Sequence, residues 1–137
     1  MDEQTRLPGL DNGNEAEAVP EDKIKCYITD SLRDDTPEER VRQTVARSLV
    51  DEYGYSKEDI DVEFTVKMGR QKKRADLVVF YEDEPHTQQN VYITIETKNE
   101  DIKPSSKDNG VSQLESYTAA CMNASFSLWV GSERLAF

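Results

Sequence analysis

The sequence predicts one α/β domain in which helices flank a mixed central sheet. Three observations predict this: an N-capped amphipathic helix in the first half, three strand patterns in succession, and a second helix that leads into a further strand. The 137 residues suffice for one hydrophobic core and are too few for two. Since a crossover helix joins parallel strands, the sheet should contain both orientations.

Residues 1–22 are predicted to form a flexible acidic tail, and residues 23–137 the folded domain. The beginning of the chain is polar, contains several prolines and glycines, and shows no periodicity. Lys23–Asp30 alternates briefly and fits either a strand or a tether. Leu135–Phe137 has the pattern of a strand that is just beginning, so we expect a fragment of a longer protein.

The first helix is predicted to begin at Thr36 and to end near Gly54. Thr36 suits the N-cap, Pro37 suits the first helical position, and Glu39 completes a capping box three residues after the cap. An apolar stripe at spacings of four residues follows, formed by Val41, Val45 and Leu49. The pattern is that of an amphipathic helix.

Three strand patterns follow this helix. Asp61–Met68 alternates strictly, which predicts a strand with one buried face. Ala75–Tyr81 is almost continuously apolar, as a central strand would be, and Val91–Lys98 alternates again. Gly69–Lys73 is predicted to be a turn, and Glu82–Asn90 a polar loop.

The last part of the chain predicts a helix and then another strand. Gly110–Met122 has apolar residues at helical spacing, and Ala124–Val130 has a strand composition. The strand before this crossover helix and the strand after it should therefore be parallel.

Composition excludes several classes of protein. Apolar runs are too short to span a bilayer, and the N-terminus lacks a signal-peptide layout, so a cytoplasmic protein without a membrane partner is expected. Two widely spaced cysteines and one histidine argue against structural zinc and a disulfide framework. The net charge of −11 is unfavourable for binding nucleic acid, although 12 of the 28 acids lie in residues 1–40.

Two acids and a lysine form the candidate catalytic group. Asp76 opens an apolar strand, and Glu96 and Lys98 are two residues apart, so they share one face of the next strand. If those strands form an antiparallel hairpin, all three side chains meet. Two adjacent carboxylates favour a cation such as Mg²⁺, which activates water and polarises phosphate, and a lysine beside it stabilises developing charge.

A plainer interpretation exists for the same residues. A Glu-x-Lys pair on a strand is usually a solvated ion pair, and a lone aspartate at the start of a strand is commonly a turn residue. The sequence motifs that flank these residues favour the catalytic interpretation.

Five segments, in order along the chain, resemble the N-terminal domain of type I restriction enzyme R proteins, a branch of the PD-(D/E)xK nuclease superfamily. These segments are Thr36–Gln43, Tyr53–Tyr55, Lys73–Val79, Ile95–Lys98 and Gln113–Tyr117. The resemblance covers roughly residues 24–137. It implies a PD-(D/E)xK, restriction endonuclease-like core with the element order predicted above.

The resemblance also implies roles for individual residues. Asp76 and Glu96 would ligate Mg²⁺ or Mn²⁺, and Lys98 would assist catalysis. The acid contributed by the first helix would be Glu38. Glu39 is the alternative, and its plainer role is in the capping box.

Gln113 and Tyr117 lie one helical turn apart and so share a helix face. Similar domains place this pair beside the metal, where it contacts DNA or orients catalytic groups; a partly buried helix face is the equal alternative. Two positions depart from the family pattern. Ala75 stands in place of the proline before Asp76, and Thr97, between the acid and the lysine, is expected to point away from the metal.

A basic cluster runs directly into Asp76. Its members are Lys67, Arg70, Lys72, Lys73 and Arg74. As a hairpin tip they could grip phosphates near the site, and this interpretation is favoured slightly over a solvated turn that keeps a sheet edge soluble.

The leading hypothesis is a Mg²⁺- or Mn²⁺-dependent endonuclease domain of a type I-like restriction–modification enzyme that hydrolyses double-stranded DNA. Its partners would be a helicase motor or adenine methyltransferase regions or subunits of the same system. A catalytically inert DNA-binding or interaction module on the same fold is the alternative, and hydrolysis of RNA or nucleotides on the same core is not excluded.

Overall fold

A computed structural model describes residues 18–106 and 110–137, without the side chains of Gln113 and Tyr117. The predicted tail therefore lies mostly outside the described residues. The strands are β1 (Lys23–Lys25), β2 (Leu32–Asp34), β3 (Ile60–Met68), β4 (Gln71–Phe80), β5 (Val91–Thr97), β6 (Phe126–Val130) and β7 (Arg134–Ala136). The helices are α1 (Pro37–Asp51) and α2 (Val111–Thr118), and short 3-10 turns cover Lys57–Asp59 and Gln88–Asn90.

Five strands form one mixed sheet in the order β3-β4-β5-β6-β7. Only the β5–β6 pair within it is parallel, and α2 is the crossover that joins these two strands. The predicted α/β class, the parallel pair and the additional strand after residue 133 are confirmed. Strands β1 and β2 form a separate small hairpin. The sequence allowed either a strand or a tether at β1 and gave no indication of a strand at β2.

The two helices cover opposite faces of the sheet. Leu77 and Val79 pack in the hydrophobic cluster that contains the apolar face of α1. Val78 packs instead in the cluster that contains Leu114 of α2 and the buried Trp129. Because neighbouring residues of a strand point to opposite faces, β4 contributes to both clusters and lies between the helices.

Helix α1 begins as the sequence predicts. The Thr36 side chain accepts a hydrogen bond from the Glu39 amide at 3.0 Å, and Pro37 occupies the first turn. The helix ends at Asp51, close to the predicted end at Gly54, which has a φ of 79°.

We expect Thr36→Ala to lower the free energy of unfolding by about 1 kcal/mol, because one helix-terminal amide loses its acceptor. Urea denaturation of the variant measures this loss. Thr44→Ala is the matched control, since Thr44 is an exposed residue inside the same helix and alanine is the better helix former there. Equal effects of the two substitutions would contradict a capping role for Thr36.

The turn between β3 and β4 is shorter than predicted. The register pairs Met68 with Gln71, so that only Gly69 and Arg70 form the turn, and Gly69 has a φ of 63°. A glycine in the left-handed region permits such a two-residue hairpin. Lys72, Lys73 and Arg74 therefore lie on β4 and not in a turn, which corrects the prediction of a basic hairpin tip for these residues.

Strand β3 does not keep one face buried along its length. Val62 packs with the α1 cluster, whereas Phe64 and Val66 pack with the α2 cluster. The change of face occurs at Glu63, whose φ is 57°. The prediction of a strictly alternating strand is wrong at this residue, because a left-handed residue interrupts the pleat.

Helix α2 ends at Thr118, four residues before the predicted end at Met122. In the described part of the chain, no helix is both long enough and apolar enough to cross a membrane.

Candidate active site

Strands β4 and β5 separate where the predicted catalytic residues lie. Their last recorded pair on this side is Leu77 with Ile95, so Asp76 and Glu96 are the next residues along the two strands. The Thr97 amide, instead of pairing with a backbone carbonyl of β4, donates to the Asp76 carboxylate at 2.8 Å. Lys98 follows directly after β5, and its backbone amide donates to Val130 of β6.

Lys98 and Glu96 form a partly buried ion pair. The Lys98 Nζ atom is 2.8 Å from Glu96 Oε2, and the exposed fractions of the two side chains are 13% and 6%. This low exposure contradicts the plainer interpretation of a solvated strand pair. An ion pair withdrawn from water is stronger than a surface pair but costs more desolvation.

Three carboxylates act on the Lys98 ammonium. Burial lowers the pKa of Lys98, but the hydrogen bond from Lys98 to Glu96 and the negative charges of Glu96, Asp76 and Glu38 outweigh it, so that the pKa lies above its ordinary value of 10.5. Lys98 is therefore a cation at neutral pH. The structure brings Glu96 and Lys98 into contact, and the charges of Asp76 and Glu38 act on the same ammonium; their catalytic roles stay predictions.

We expect the pKa of Lys98 in the metal-free protein to lie above the ordinary value of 10.5, and to fall in Glu96→Gln, where the ammonium loses the partner that opposes the effect of burial. The stabilisation from this charge is complete below pH 10.5 and is lost as the pH rises through the higher pKa of the folded state. Carbon-13 NMR of the lysine ε-carbons in EDTA measures both values. A Lys98 pKa at or below 10.5 would contradict the described contacts.

The Asp76 carboxylate is held from two sides. Its Oδ1 atom accepts from Arg42 Nη2 of α1 at 3.1 Å. Its Oδ2 atom accepts from the amide of Thr97 and from the Thr97 hydroxyl, which is 3.1 Å away. The Thr97 hydroxyl therefore contacts a predicted metal ligand; the expectation that Thr97 points away from the metal stays a prediction.

The two acids at the start of α1 differ in their surroundings. Glu39 is buried, and its carboxylate accepts from Arg33, Arg42 and Gln43 at 2.8–3.0 Å. Glu38 is half-buried and contributes to the field at Lys98. This arrangement favours Glu38 as the acid that faces the site and gives Glu39 a role in holding arginines.

Three residues next to the site were missed from the sequence: Arg33, Arg42 and Glu63. Arg42 offered the clearest signal, because it lies three residues after Glu39 and three before Val45, on the face of α1 that is otherwise buried. Arg33 came from a segment with no helical or alternating pattern, and Glu63 was one of the polar positions of the alternating segment Asp61–Met68. Their ion pairs with each other and with α1 are visible only in three dimensions.

The donor chemistry of the site fits a hard divalent cation. Among the described residues, no group of three or more acidic, histidine or cysteine side chains could hold a metal by itself. Mg²⁺ does not need such a cage, because it keeps several waters and commonly uses one or two carboxylates. Asp76 and Glu96 would supply those two, with Glu38 near enough to add negative charge.

The basic cluster extends away from the site along the β3–β4 hairpin. Arg74 is close to it: its Nη1 atom is 3.8 Å from Glu63 Oε2, and two-thirds of its side chain is exposed. Arg70 is six residues from Asp76, about 20 Å along an extended strand. Lys72 is exposed, whereas Lys73 is half-buried. Of the predicted DNA-binding residues, only Arg74 lies directly beside the acids.

Gln113 and Tyr117 belong to α2, but their side chains lie outside the described residues. Their backbone positions fall on the helix that packs against β5 and β6. Their proposed contact with the metal site stays a prediction.

The fold and the site together define a class of protein: a mixed α/β domain in which a partly buried glutamate–lysine pair and a neighbouring aspartate lie where two central strands separate. The family model described as the N terminus of type I restriction enzyme R proteins (HSDR_N) matches residues 37–137. The chain belongs to this family. Comparison with curated proteins and with solved structures gave no significant match.

Proposed function

We propose that this domain is a metal-dependent endonuclease that hydrolyses phosphodiester bonds of double-stranded DNA within a type I-like restriction system. The observation that carries the proposal is the partly buried contact between Lys98 and Glu96 at the point where β4 and β5 separate, next to an Asp76 carboxylate that the Thr97 amide holds. Membership of a restriction enzyme family supports the same chemistry. We infer that Asp76, Glu96 and Lys98 form a site of the PD-(D/E)xK type.

In the proposed mechanism, Asp76 and Glu96 would hold Mg²⁺ or Mn²⁺, and the metal would supply activation of a water and polarisation of the scissile phosphate. Lys98 acts as a cation, because the neighbouring acids raise its pKa. It donates hydrogen bonds to the attacking water or to a phosphate oxygen and offsets the charge that develops there. Arg42 and Thr97 fix the Asp76 carboxylate from behind.

DNA would approach along the exposed basic side of β4. Arg74 and Lys72 offer cations to the phosphates on a path that ends at Asp76. The net charge of −11 opposes this binding. We therefore infer that most of the affinity and all of the sequence recognition come from a helicase motor, or from methyltransferase regions or subunits of the same system.

The test is nicking of supercoiled plasmid at low salt by the purified domain, with Mg²⁺, with Mn²⁺ and with excess EDTA. We expect relaxed and linear products with either metal and none with EDTA. Cleavage that persists in EDTA, or no cleavage in either metal even when the domain is covalently tethered to DNA, would overturn the proposal.

One observation favours an inert DNA-binding or interaction module as a second candidate. The charge of Asp76 is already compensated by Arg42 at 3.1 Å and by two hydrogen bonds from Thr97, so the carboxylate is stable without a metal. Calorimetric titration with Mn²⁺ separates the two candidates. A nuclease binds the metal and loses that binding in Asp76→Asn, whereas an inert module gives no heat in either protein.

A further inference from the structure

The β1–β2 hairpin lies outside the residues that match the family model, which begins at residue 37. It nevertheless places one side chain against the framework of the site. Arg33 Nε is 2.9 Å from Glu39 Oε1 of α1, and Arg33 Nη2 is 2.6 Å from Glu63 Oε1 of β3. About a quarter of the Arg33 side chain is exposed, so both contacts are partly withdrawn from water.

The same two glutamates also hold Arg42. Arg42 Nη1 is 3.0 Å from Glu39 Oε1, and Arg42 Nη2 is 4.0 Å from Glu63 Oε2. Arg33, Glu39, Arg42 and Glu63 therefore form a closed ring of alternating charges. Arg42 is buried and also binds Asp76 Oδ1 at 3.1 Å, so it connects this ring to the predicted metal ligand.

Glu63 is held in an unfavourable conformation directly opposite Asp76. The register pairs Val62 with Leu77 and Phe64 with Ala75, which leaves Glu63 facing Asp76 across the two strands. Its φ of 57° is rarely adopted by a residue with a side chain, and such strain persists where the surroundings enforce it. The short contact with Arg33 is the closest ion pair that Glu63 makes, at 2.6 Å.

We propose that Arg33 is a positioning residue for Asp76. It fixes Glu39 and Glu63, these two glutamates fix Arg42, and Arg42 orients the carboxylate that would bind the metal. The β1–β2 hairpin is thus a working part of the active-site framework. The catalytic meaning of this role rests on the proposed nuclease function, whereas the effect on the position of Asp76 does not.

A simpler role for Arg33 would be to anchor the hairpin on α1. Anchoring alone predicts that its loss frees the hairpin and lowers stability, while Asp76 stays in place. Positioning predicts that the Asp76 carboxylate moves when Arg33 is lost. The Thr97 amide can report this movement, because it donates a hydrogen bond to Asp76 Oδ2 at 2.8 Å.

The experiment compares Arg33→Met, Arg33→Lys and Lys23→Gln in the metal-free protein by nitrogen-15 NMR. Lys23→Gln is the control, since it removes an exposed ion pair, with Asp34, from the same hairpin. In Arg33→Met we expect the Thr97 amide resonance to move and its hydrogen exchange to accelerate about ten-fold relative to neighbouring β5 amides. Lys23→Gln should leave both unchanged.

Arg33→Lys keeps the charge but cannot span both glutamates with one planar fork, so the Thr97 changes should be intermediate in this variant. If Arg33→Met does not fold, the Thr97 amide of Arg33→Lys still tests the proposal. A Thr97 amide that is unchanged in the folded Arg33 variants, or that changes equally in Lys23→Gln, overturns the proposal.

Metal binding gives a second readout. In Arg33→Met we expect Mn²⁺ to bind about ten-fold more weakly than in the wild type, as is typical when a residue behind a ligand is removed. In Asp76→Asn the further substitution of Arg33 should have no added effect on the metal. If the wild type binds no Mn²⁺, the proposed function fails, and the Thr97 amide alone decides the role of Arg33.

Discussion

Lys98→Ala is expected to lower the rate of DNA cleavage by about 10²–10³-fold, because the site loses the cation that offsets the charge developing on the phosphate. The ammonium lies 2.8 Å from Glu96 and within the field of Asp76 and Glu38. Neutral alanine leaves these acids without their shared counter-charge. Metal binding should therefore persist or strengthen, since a cation that competes for the same carboxylates is gone.

Single-turnover nicking at saturating Mn²⁺ measures this effect, and calorimetry measures the metal affinity of the same variant. Lys103→Ala is the matched control: Lys103 is exposed and five residues further along the chain. A Lys98→Ala protein that cleaves DNA within a few-fold of the wild-type rate would remove Lys98 from the mechanism. So would an equal loss of activity in the control.

Asp76→Ala should abolish both metal binding and cleavage and should lower the free energy of unfolding by about 3 kcal/mol. The loss of stability arises because Arg42 is buried, with 6% of its side chain exposed, and would lose one of its carboxylate partners. The Thr97 amide would lose its acceptor as well. Asp76→Asn should be less destabilising, since an amide oxygen can still accept from Thr97, but it should equally fail to bind the metal.

Urea denaturation and Mn²⁺ calorimetry of the two variants test these expectations. Asp61→Ala provides the control, because Asp61 is an acid on the neighbouring strand whose recorded partner is the exposed His86. Its loss should cost at most about 1 kcal/mol and should not affect the metal. If Asp76→Asn bound Mn²⁺ as tightly as the wild type, Asp76 would not be a ligand.

These two variants also separate catalysis from structure. Lys98 and Asp76 both lie in the cluster of charges, yet the loss of one should spare metal binding and the loss of the other should not. An inert module would show the stability changes of Asp76→Ala without any change in metal binding or cleavage.

Local sequence patterns determined most of the fold. The Thr36 cap and the apolar stripe behind it define α1, and the strand patterns before and after α2 require a parallel pair within a mixed sheet. The same periodicity put Glu96 and Lys98 on one face, which their 2.8 Å contact bears out. Such patterns are reliable because burial repeats with the period of each helix or strand.

Only the tertiary structure decided the framework behind Asp76. Nothing near Arg33 or Glu63 in the sequence indicates that these residues meet across 30 positions, or that Glu63 leaves the pleat opposite Asp76. The length of the β3–β4 turn was equally hidden, because polar strand residues resemble turn residues. Ion pairs and strained residues depend on which distant segments are packed together, and periodicity along one segment carries no information about its partner.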